Sequence, residues 1–324
     1  MAKFVLICIV GILPMIGTAQ EREVPLTDHH QHLFSPALAE LISPPGGPAT
    51  RPITARDLVM HLDAVGIRSA VVLSTAYIWS QPSRRIENEY ERVRAENDWA
   101  SQQVAMFPDR LIGFCGLNPL REFALTELAR CAKDPNLRHG LKLHFGNSAV
   151  DYRNVEHVSR VRSVFRAAND FRMPIVVHMR ASITEKLSYG REEALVFLNE
   201  FIPAAPAVPI QIAHLAGAGG YNDPSVDDAM TVFVDAIRAG DARTRQLWFD
   251  VTSVALGDPT PQQAQSIATR IRQIGLRRVV YGSDAAIANN SPAEAWAAFR
   301  RLPLTPEEFR TIAGNVAPYA RPSP

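Results

Sequence analysis

The 324-residue sequence has few cysteines and no excess of one charge, and both absences exclude classes of protein. Three cysteines are too few for a disulfide-stapled scaffold. Lys and Arg total 34 against 33 Asp and Glu, which gives a net charge of +1, and no basic block occurs. Composition therefore gives no support to a partner such as nucleic acid or a membrane surface. Internal repeats are also lacking, and a hydrophobic content of 47% indicates a globular protein with a large core.

The N-terminus has the composition of a signal peptide. Lys3 precedes an apolar stretch at residues 4–16, which is short for a membrane span, and small residues follow at 17–19. We predict cleavage after Ala19, so that 1–19 is a signal peptide and 20–324 is one periplasmic or secreted domain. A retained N-terminal anchor is the alternative. Cys115 and Cys131 lie in apolar patterns and are predicted to be buried free thiols, although an oxidising compartment would permit a bridge between them.

Short β-rich runs alternate with amphipathic helical patterns along the rest of the chain, which is typical of a parallel sheet. After a first strand that leads into residues 27–32, the predicted strands are 69–73, 111–117, 140–144, 174–178, 208–214, 246–251 and 278–284. Eight strands followed by helices predict an α/β fold, a single-domain (β/α)8 TIM barrel. A doubly wound open sheet is the alternative. It is disfavoured because no glycine-rich phosphate turn follows the first strand.

Residues that can bind metal stand at the carboxyl ends of five predicted strands. His30 and His32 lie two residues apart, so an extended strand directs both imidazoles to one face. The later strands add Lys142, His178, His214 and Asp284. A single such histidine is more often a hydrogen-bonded structural residue. Five strands with the same pattern, at the barrel end that holds active sites, predict a shared metal site.

These residues, in this order, resemble the amidohydrolase superfamily, and specifically its amidohydrolase-related branch. The resemblance rests on Asp28-x-His30-x-His32, Gly140-Leu141-Lys142-Leu143-His144, Val176-Val177-His178, Ile212-Ala213-His214-Leu215-Ala216-Gly217, Tyr281-Gly282-Ser283-Asp284 and the closing Ile312-Ala313-Gly314-Asn315-Val316-Ala317. It covers essentially the whole mature chain. It implies one divalent ion held by His30, His32, His178 and Asp284. Zinc is preferred over manganese or iron for this ligand set.

The resemblance also implies roles in catalysis. The metal would lower the pKa of a bound water to roughly 7. Asp284 would accept that proton and later pass it to the leaving group, and His214 would polarise the substrate carbonyl or bind a second ion. Lys142 would bridge two ions if carbon dioxide carboxylates it, as in two-metal members. One ion is preferred here and two are the alternative. Asp28 is interpreted as an acceptor that orients an imidazole.

Four further residues are candidates for substrate binding. Arg180 follows His178 by two residues and would suit a substrate carboxylate, whereas an ordinary salt bridge is the alternative. Tyr77 and Trp79 follow the second strand and would form a wall of the pocket, or else pack in the core. His144 follows Lys142 on the same strand face and either reaches the site or lies at its rim.

The sequence predicts a metal-dependent hydrolase that acts on an ester, lactone or amide bond of a small substrate. This substrate either bears a carboxylate group or lacks one. The alternative is non-oxidative decarboxylation of the aminocarboxymuconate semialdehyde decarboxylase type. Lys142 favours hydrolysis, since those decarboxylases do not depend on a fourth-strand lysine. A catalytically inactive binding protein is disfavoured because no position of the ligand set is missing. The sequence leaves the oligomeric state open, a homo-oligomer included.

Overall fold

The computed structural model describes residues 24–285 and 290–321, and eight parallel strands form its centre. The strands are β1 (Thr27–Gln31), β2 (Ser69–Leu73), β3 (Leu111–Gly116), β4 (Leu141–His144), β5 (Ile175–His178), β6 (Ile210–Ile212), β7 (Leu247–Asp250) and β8 (Val279–Val280). Each strand pairs with its sequence neighbour. Backbone hydrogen bonds from His29 N to Tyr281 O and from Asp284 N to His30 O, both 2.9 Å, join the last strand segment to the first. This confirms the predicted (β/α)8 barrel.

Helices surround the sheet between successive strands. They are α1 (Pro36–Ile42), α2 (Ala55–Asp63), α3 (Glu89–Ala105), α4 (Ala124–Cys131), α5 (Phe145–Ser148), α6 (Val155–Asp170), α7 (Arg191–Val196), α8 (Pro224–Arg238), α9 (Pro261–Ile274), α10 (Pro292–Phe299) and α11 (Pro306–Gly314). Their starts follow local sequence. Thr54 and Thr305 close capping boxes with Asp57 and Glu308, so each side chain satisfies a free backbone N–H of the first turn.

Alternate residues of the strands pack on two different sides of the sheet. Val72, Leu141 and Ile175 belong to the large core between the sheet and the helices. Residues of opposite parity form a smaller cluster inside the barrel, made by Val71, Leu73, Phe114, Val176 and Ala320, with Tyr319 packed against it. The C-terminal segment therefore fills the floor of the barrel. The polar residues of the barrel interior are left at the opposite end, where the strands finish.

Cys115 and Cys131 form a disulfide, so the prediction of two free thiols is wrong. Cys115 lies on β3 and Cys131 ends α4, and the fold brings their Cα atoms to 6.0 Å, within the range that a bridge can span. Both residues are fully buried. The apolar patterns around each cysteine correctly indicated burial but contained no information about the distance between them.

We expect the disulfide to contribute about 3 kcal/mol to the free energy of unfolding, because it closes a loop with a sequence separation of 16 residues. Cys115→Ala combined with Cys131→Ala should show this loss in urea unfolding. Wild-type protein treated with a phosphine reductant is the matched control and should lose a similar amount. Recovery of Cys115 and Cys131 as separate alkylated peptides from denatured, unreduced protein would contradict the bridge.

The N-terminal segment and the apolar character of the helices both bear on the cellular location of the protein. The predicted signal peptide lies outside the described residues. Within the described ranges, none of the helices has the length and apolar character needed to cross a membrane.

Candidate metal centre

Three histidines at the carboxyl end of the barrel direct one ring nitrogen outward to an acceptor. His30 Nδ1 lies 3.0 Å from Asp250 Oδ2, His32 Nδ1 lies 2.6 Å from Leu73 O, and His214 Nδ1 lies 3.0 Å from Thr252 O. Because each partner can only accept, each Nδ1 must hold the proton. Each Nε2 therefore carries the lone pair of its ring and is the ligand atom, as in metal sites whose histidines are oriented by carboxylates or carbonyls.

Asp250 is the central acceptor beneath the site. Its Oδ2 receives the His30 ring and the Gln211 amide at 2.7 Å, and its Oδ1 receives the backbone N–H groups of His214 at 2.7 Å and Thr252 at 3.1 Å. Burial opposes its ionisation, but His30 and His214 together with these hydrogen bonds hold the pKa of Asp250 below its usual value. The sequence analysis missed this residue, although it ends a strand as the other candidates do.

The imidazoles of the site are in the protonation state that a metal requires. Burial lowers the pKa of His30 to about 3, and it lowers the pKa of His32, His178 and His214 as well. Neutral rings with free Nε2 atoms can bind a cation without first losing a proton. These four histidines therefore form a buried cluster of neutral imidazoles that can act as metal ligands.

Asp284 supplies the carboxylate of the cluster. The ligand atoms of His30, His214 and Asp284 lie within 4.8 Å of one another, and Asp284 Oδ1 lies 3.6 Å from His32 Nε2. Asp284 Oδ1 is buried and has no hydrogen-bond partner in the described protein. An orphaned carboxylate oxygen next to imidazole nitrogens fits a divalent cation, so the residues present suit the metal that the sequence predicted. His178 adjoins this group, with its ring 5.0 Å from that of His214.

Lys142 completes the floor of the site. Its ammonium nitrogen lies 3.1 Å from His30 Nε2, and its side chain is fully buried. Burial lowers the pKa of Lys142, and burial raises the pKa of the nearby Asp284 carboxyl well above its usual value. Such opposed shifts in one buried cluster are typical of active sites.

The backbone of the site is held in a rarely used conformation. His214, Leu215 and Ala216 are three consecutive non-glycine residues with φ between 48° and 64°, and Asp284 has φ 50°. Each left-handed residue of this kind is disfavoured for L-amino acids. Gly282 is required for a different reason, because a Cβ there would lie 2.7 Å from the His30 Cβ. Close packing of β8 against β1 therefore brings Asp284 up to the histidines.

A stack of flat rings forms one wall of the site. His144 lies parallel to His178 with 3.8 Å between ring centroids, and Tyr77 lies 5.1 Å from His144. The Asn147 backbone N–H donates to His144 Nδ1 at 3.1 Å, so the His144 proton must be on Nε2. His144 is therefore a neutral hydrogen-bond donor inside the ring wall.

The other predicted residues make contacts outside the cluster. Arg180 forms a salt bridge with Asp223 at 2.9 Å, donates to Ala181 O and lies over the ring of Tyr189. A substrate carboxylate would have to compete with Asp223, so substrate binding by Arg180 stays a prediction. Trp79 donates to Glu96 Oε2 at 3.3 Å on α3, and its role in the pocket also stays a prediction.

Asp28 supports the backbone of the site. It accepts hydrogen bonds from the backbone N–H groups of His30 and Ser283 and from the Gln31 amide. These bonds tie β1 to the segment that leads to Asp284. The imidazole-orienting carboxylate that we had assigned to Asp28 is Asp250, because Asp28 contacts the backbone of His30 and Asp250 contacts its ring.

Neutral imidazoles, a carboxylate and an amine gather at the carboxyl end of a (β/α)8 barrel, which is the end where barrel enzymes keep their active sites, and they can hold a divalent metal. The chain belongs to the amidohydrolase family, whose Amidohydro_2 model matches residues 27–317. No curated protein sequence matches the chain.

Solved structures with the same fold include decarboxylases and a hydrolase. The 2,6-dihydroxybenzoate decarboxylase from Rhizobium superposes with a TM-score of 0.64 at 17% identity, covering 90% of this chain and 96% of that one. A 5-carboxyvanillate decarboxylase from Novosphingobium aromaticivorans, solved with manganese and 4-hydroxy-3-methoxy-5-nitrobenzoic acid, gives 0.61 at 15%, covering 91% and 95%. A probable 2-pyrone-4,6-dicarboxylic acid hydrolase from Acinetobacter baumannii gives 0.57 at 18%, covering 89% and 95%. At these identities the likeness establishes the fold.

Proposed function

We propose that the protein is a metal-dependent, non-oxidative decarboxylase of a small aromatic carboxylic acid. The observation on which this rests is the ring wall of Tyr77, His144 and His178, which adjoins the metal cluster through the contact of His178 with His214, because a flat wall next to these donors suits a planar aromatic acid. The decarboxylases among the solved structures support this reaction over hydrolysis, which was the first preference from sequence.

The metal would be held by His30, His214 and Asp284, with His32 and His178 as adjoining ligands, and would supply Lewis-acid charge that binds the substrate carboxylate. Manganese is present in a related structure, and zinc stays a prediction. Asp284 Oδ1 has no hydrogen-bond partner among the described residues, so the Asp284 carboxyl would be able to carry a proton to the ring carbon that bears the carboxylate. The bond to the carboxyl carbon then breaks, its electron pair returns to the ring, and carbon dioxide leaves. Asp284 regains its proton from solvent.

Isotope labelling distinguishes decarboxylation from hydrolysis. Metal-loaded enzyme would be incubated with 2,6-dihydroxybenzoate, 5-carboxyvanillate and 2-pyrone-4,6-dicarboxylate, in D₂O and separately in H₂¹⁸O. We expect carbon dioxide release from an aromatic acid, with one deuterium on the ring carbon that lost the carboxyl group and no ¹⁸O in the aromatic product. Ring opening of the pyrone with one ¹⁸O in the new carboxylate would overturn the proposal in favour of hydrolysis.

Hydrolysis remains the second candidate because of Lys142. Its amine is buried on β4, 3.1 Å from His30 Nε2. In the two-metal enzymes that the sequence resembles, a carboxylated lysine on this strand would bridge the ions. Elemental analysis of protein purified with bicarbonate tests this alternative. One ion per chain supports the decarboxylase, whereas two ions per chain, lost in Lys142→Met, would support a two-metal hydrolase.

His144 gives a prediction about substrate affinity. We expect His144→Asn to lower kcat/KM about 10-fold or more, mainly through KM, because it removes the Nε2–H donor to a charged substrate group. Asparagine can still accept the Asn147 N–H at the start of α5, so folding should be retained. His157→Asn is the matched control, since His157 Nδ1 accepts the Asp151 N–H in the same way. An unchanged KM for His144→Asn would remove His144 from the substrate site.

We also propose that the enzyme acts in the periplasm or outside the cell on a small molecule. The buried Cys115–Cys131 disulfide supports export, because such bridges persist in oxidising compartments. Mass spectrometry of the protein recovered from an expressing bacterium should give a mature N-terminus at Gln20. An intact N-terminus on membrane-bound protein would instead identify an anchor.

A further inference from the structure

The C-terminal segment lies in the barrel floor and is connected to the metal centre through side-chain hydrogen bonds. Ala317 N donates to His29 Nε2 at 3.1 Å, and His29 Nδ1 lies 3.0 Å from Tyr281 O, so His29 fastens the segment to both β1 and the end of β8. Tyr319 then enters the barrel, with its ring edge-on to His29 and to Phe114 at 6.3 and 5.3 Å between ring centroids. This places the Tyr319 hydroxyl directly below the polar interior.

The hydroxyl begins a chain of hydrogen bonds that leads into the buried interior. Tyr319 contacts Gln211 Oε1, Gln211 Nε2 lies 2.7 Å from Asp250 Oδ2, and the same Asp250 oxygen lies 3.0 Å from His30 Nδ1. Gln211 and Asp250 are both completely buried. Neither Gln211 nor Asp250 can therefore exchange its protein partner for bulk water without structural change.

The chemistry of the partners fixes the direction of every bond. Gln211 Nε2 donates to Asp250 Oδ2, so the Gln211 amide turns its NH₂ group towards Asp250. Its carbonyl oxygen then faces Tyr319, and the Tyr319 hydroxyl must donate. A phenylalanine at 319 would leave the Gln211 carbonyl buried without a donor, and the amide would gain freedom to rotate away from Asp250.

We propose that Tyr319 is a positioning residue for the metal centre, which acts through Gln211 and Asp250 to orient the His30 imidazole. The Tyr319 ring packs in the barrel floor as other core aromatic rings do, and the positioning role belongs to its hydroxyl group. The inference rests on the metal centre of the proposed function and is independent of which reaction the centre catalyses.

Metal affinity tests the proposal without any substrate. Zn²⁺ and Mn²⁺ dissociation constants would be measured by competition with a chromophoric chelator for wild type, Tyr319→Phe, Gln211→Met and the double variant. Outer partners of ligating histidines typically change metal affinity 10- to 100-fold. We expect about 10-fold weaker binding in Tyr319→Phe and at least as large a loss in Gln211→Met, whose side chain has a similar shape. Tyr319→Phe should add less than twofold in the Gln211→Met background, because the chain is already broken.

Controls separate positioning from packing. Tyr152→Phe removes another buried tyrosine hydroxyl, which donates to Met179 O at 2.6 Å, and should leave the metal dissociation constants within twofold of wild type. Urea unfolding of the metal-free variants reports packing separately.

Additive losses in the double variant, or wild-type affinity in Tyr319→Phe, would overturn the proposal. If Tyr319→Phe does not fold, wild-type affinity in Gln211→Met would overturn it. A wild-type protein without metal affinity would overturn the metal centre as well, whereas metal binding without decarboxylation would overturn only the proposed reaction.

Discussion

Asp284→Asn should lower turnover about 10³-fold while the protein remains folded. The amide cannot donate the proton that the reaction needs, and general acids of this kind contribute 10²–10⁴-fold to rates. The fold should tolerate the change because asparagine has nearly the same shape and, with aspartate, adopts a left-handed backbone such as φ 50° more readily than most residues. Carbon dioxide release at saturating substrate gives kcat, and metal content is measured on the same preparation so that loss of the ion is recognised.

Asp258→Asn is a matched control for this experiment. Asp258 also has a left-handed backbone, with φ 51°, but its side chain is exposed and pairs with Arg301. We expect wild-type kcat and an unchanged unfolding midpoint in this variant. Wild-type turnover in Asp284→Asn would refute the proton-transfer role, and the metal-dependent mechanism would then need another acid.

Asp250→Asn should weaken metal binding 10- to 100-fold, as expected for the partner of a ligating histidine. Each oxygen of Asp250 accepts hydrogen bonds from two donors. In asparagine an NH₂ group replaces one of these oxygens, and in either orientation it faces two N–H donors to which it cannot bond. If it faces His30, the ring proton is driven towards Nε2, which is the atom needed for the metal. Chelator competition measures the dissociation constant, and urea unfolding should show a loss of roughly 1–3 kcal/mol for the unsatisfied groups.

Asp227→Asn is the corresponding change at an aspartate outside the site, which is partly buried and pairs with Arg270 at 2.7 Å between α8 and α9. Its metal affinity should equal that of wild type even if its stability falls. Equal metal affinities for Asp250→Asn and wild type would show that the His30 ring is oriented by something other than the Asp250 carboxylate.

Short-range patterns predicted much of the fold because they depend on neighbours in sequence. The apolar run at residues 69–73 forms the predicted strand. The sequence Thr305–Glu308 also specifies its capping box, since a cap involves only atoms within one turn. Boundaries were less exact. The charged sequence at 84–106 predicts one long helix, but the helix begins only at Glu89, after a turn with left-handed residues at Arg85 and Asn88.

The convergence of the site was also predictable, because parallel strands end at one edge of the barrel. That rule placed His30, His32, His178, His214 and Asp284 in one region, and Lys142 with them. It could not identify their partners. Asp250 was overlooked because its importance lies in a contact with His30 across 220 positions of sequence. The rule also could not identify Asp223 as the salt-bridge partner of Arg180, because the two residues are 43 positions apart in sequence.

The sequence by itself determined the barrel, the end of the barrel where polar groups collect and the residue types that can bind a metal, because periodicity and strand order are local properties. Only the tertiary structure decided which imidazole nitrogen is free, that Cys115 and Cys131 are bridged, and that Tyr319 lies beneath the metal centre. Each of these depends on distances between segments far apart in the chain, and those distances are fixed by the packing of the whole barrel.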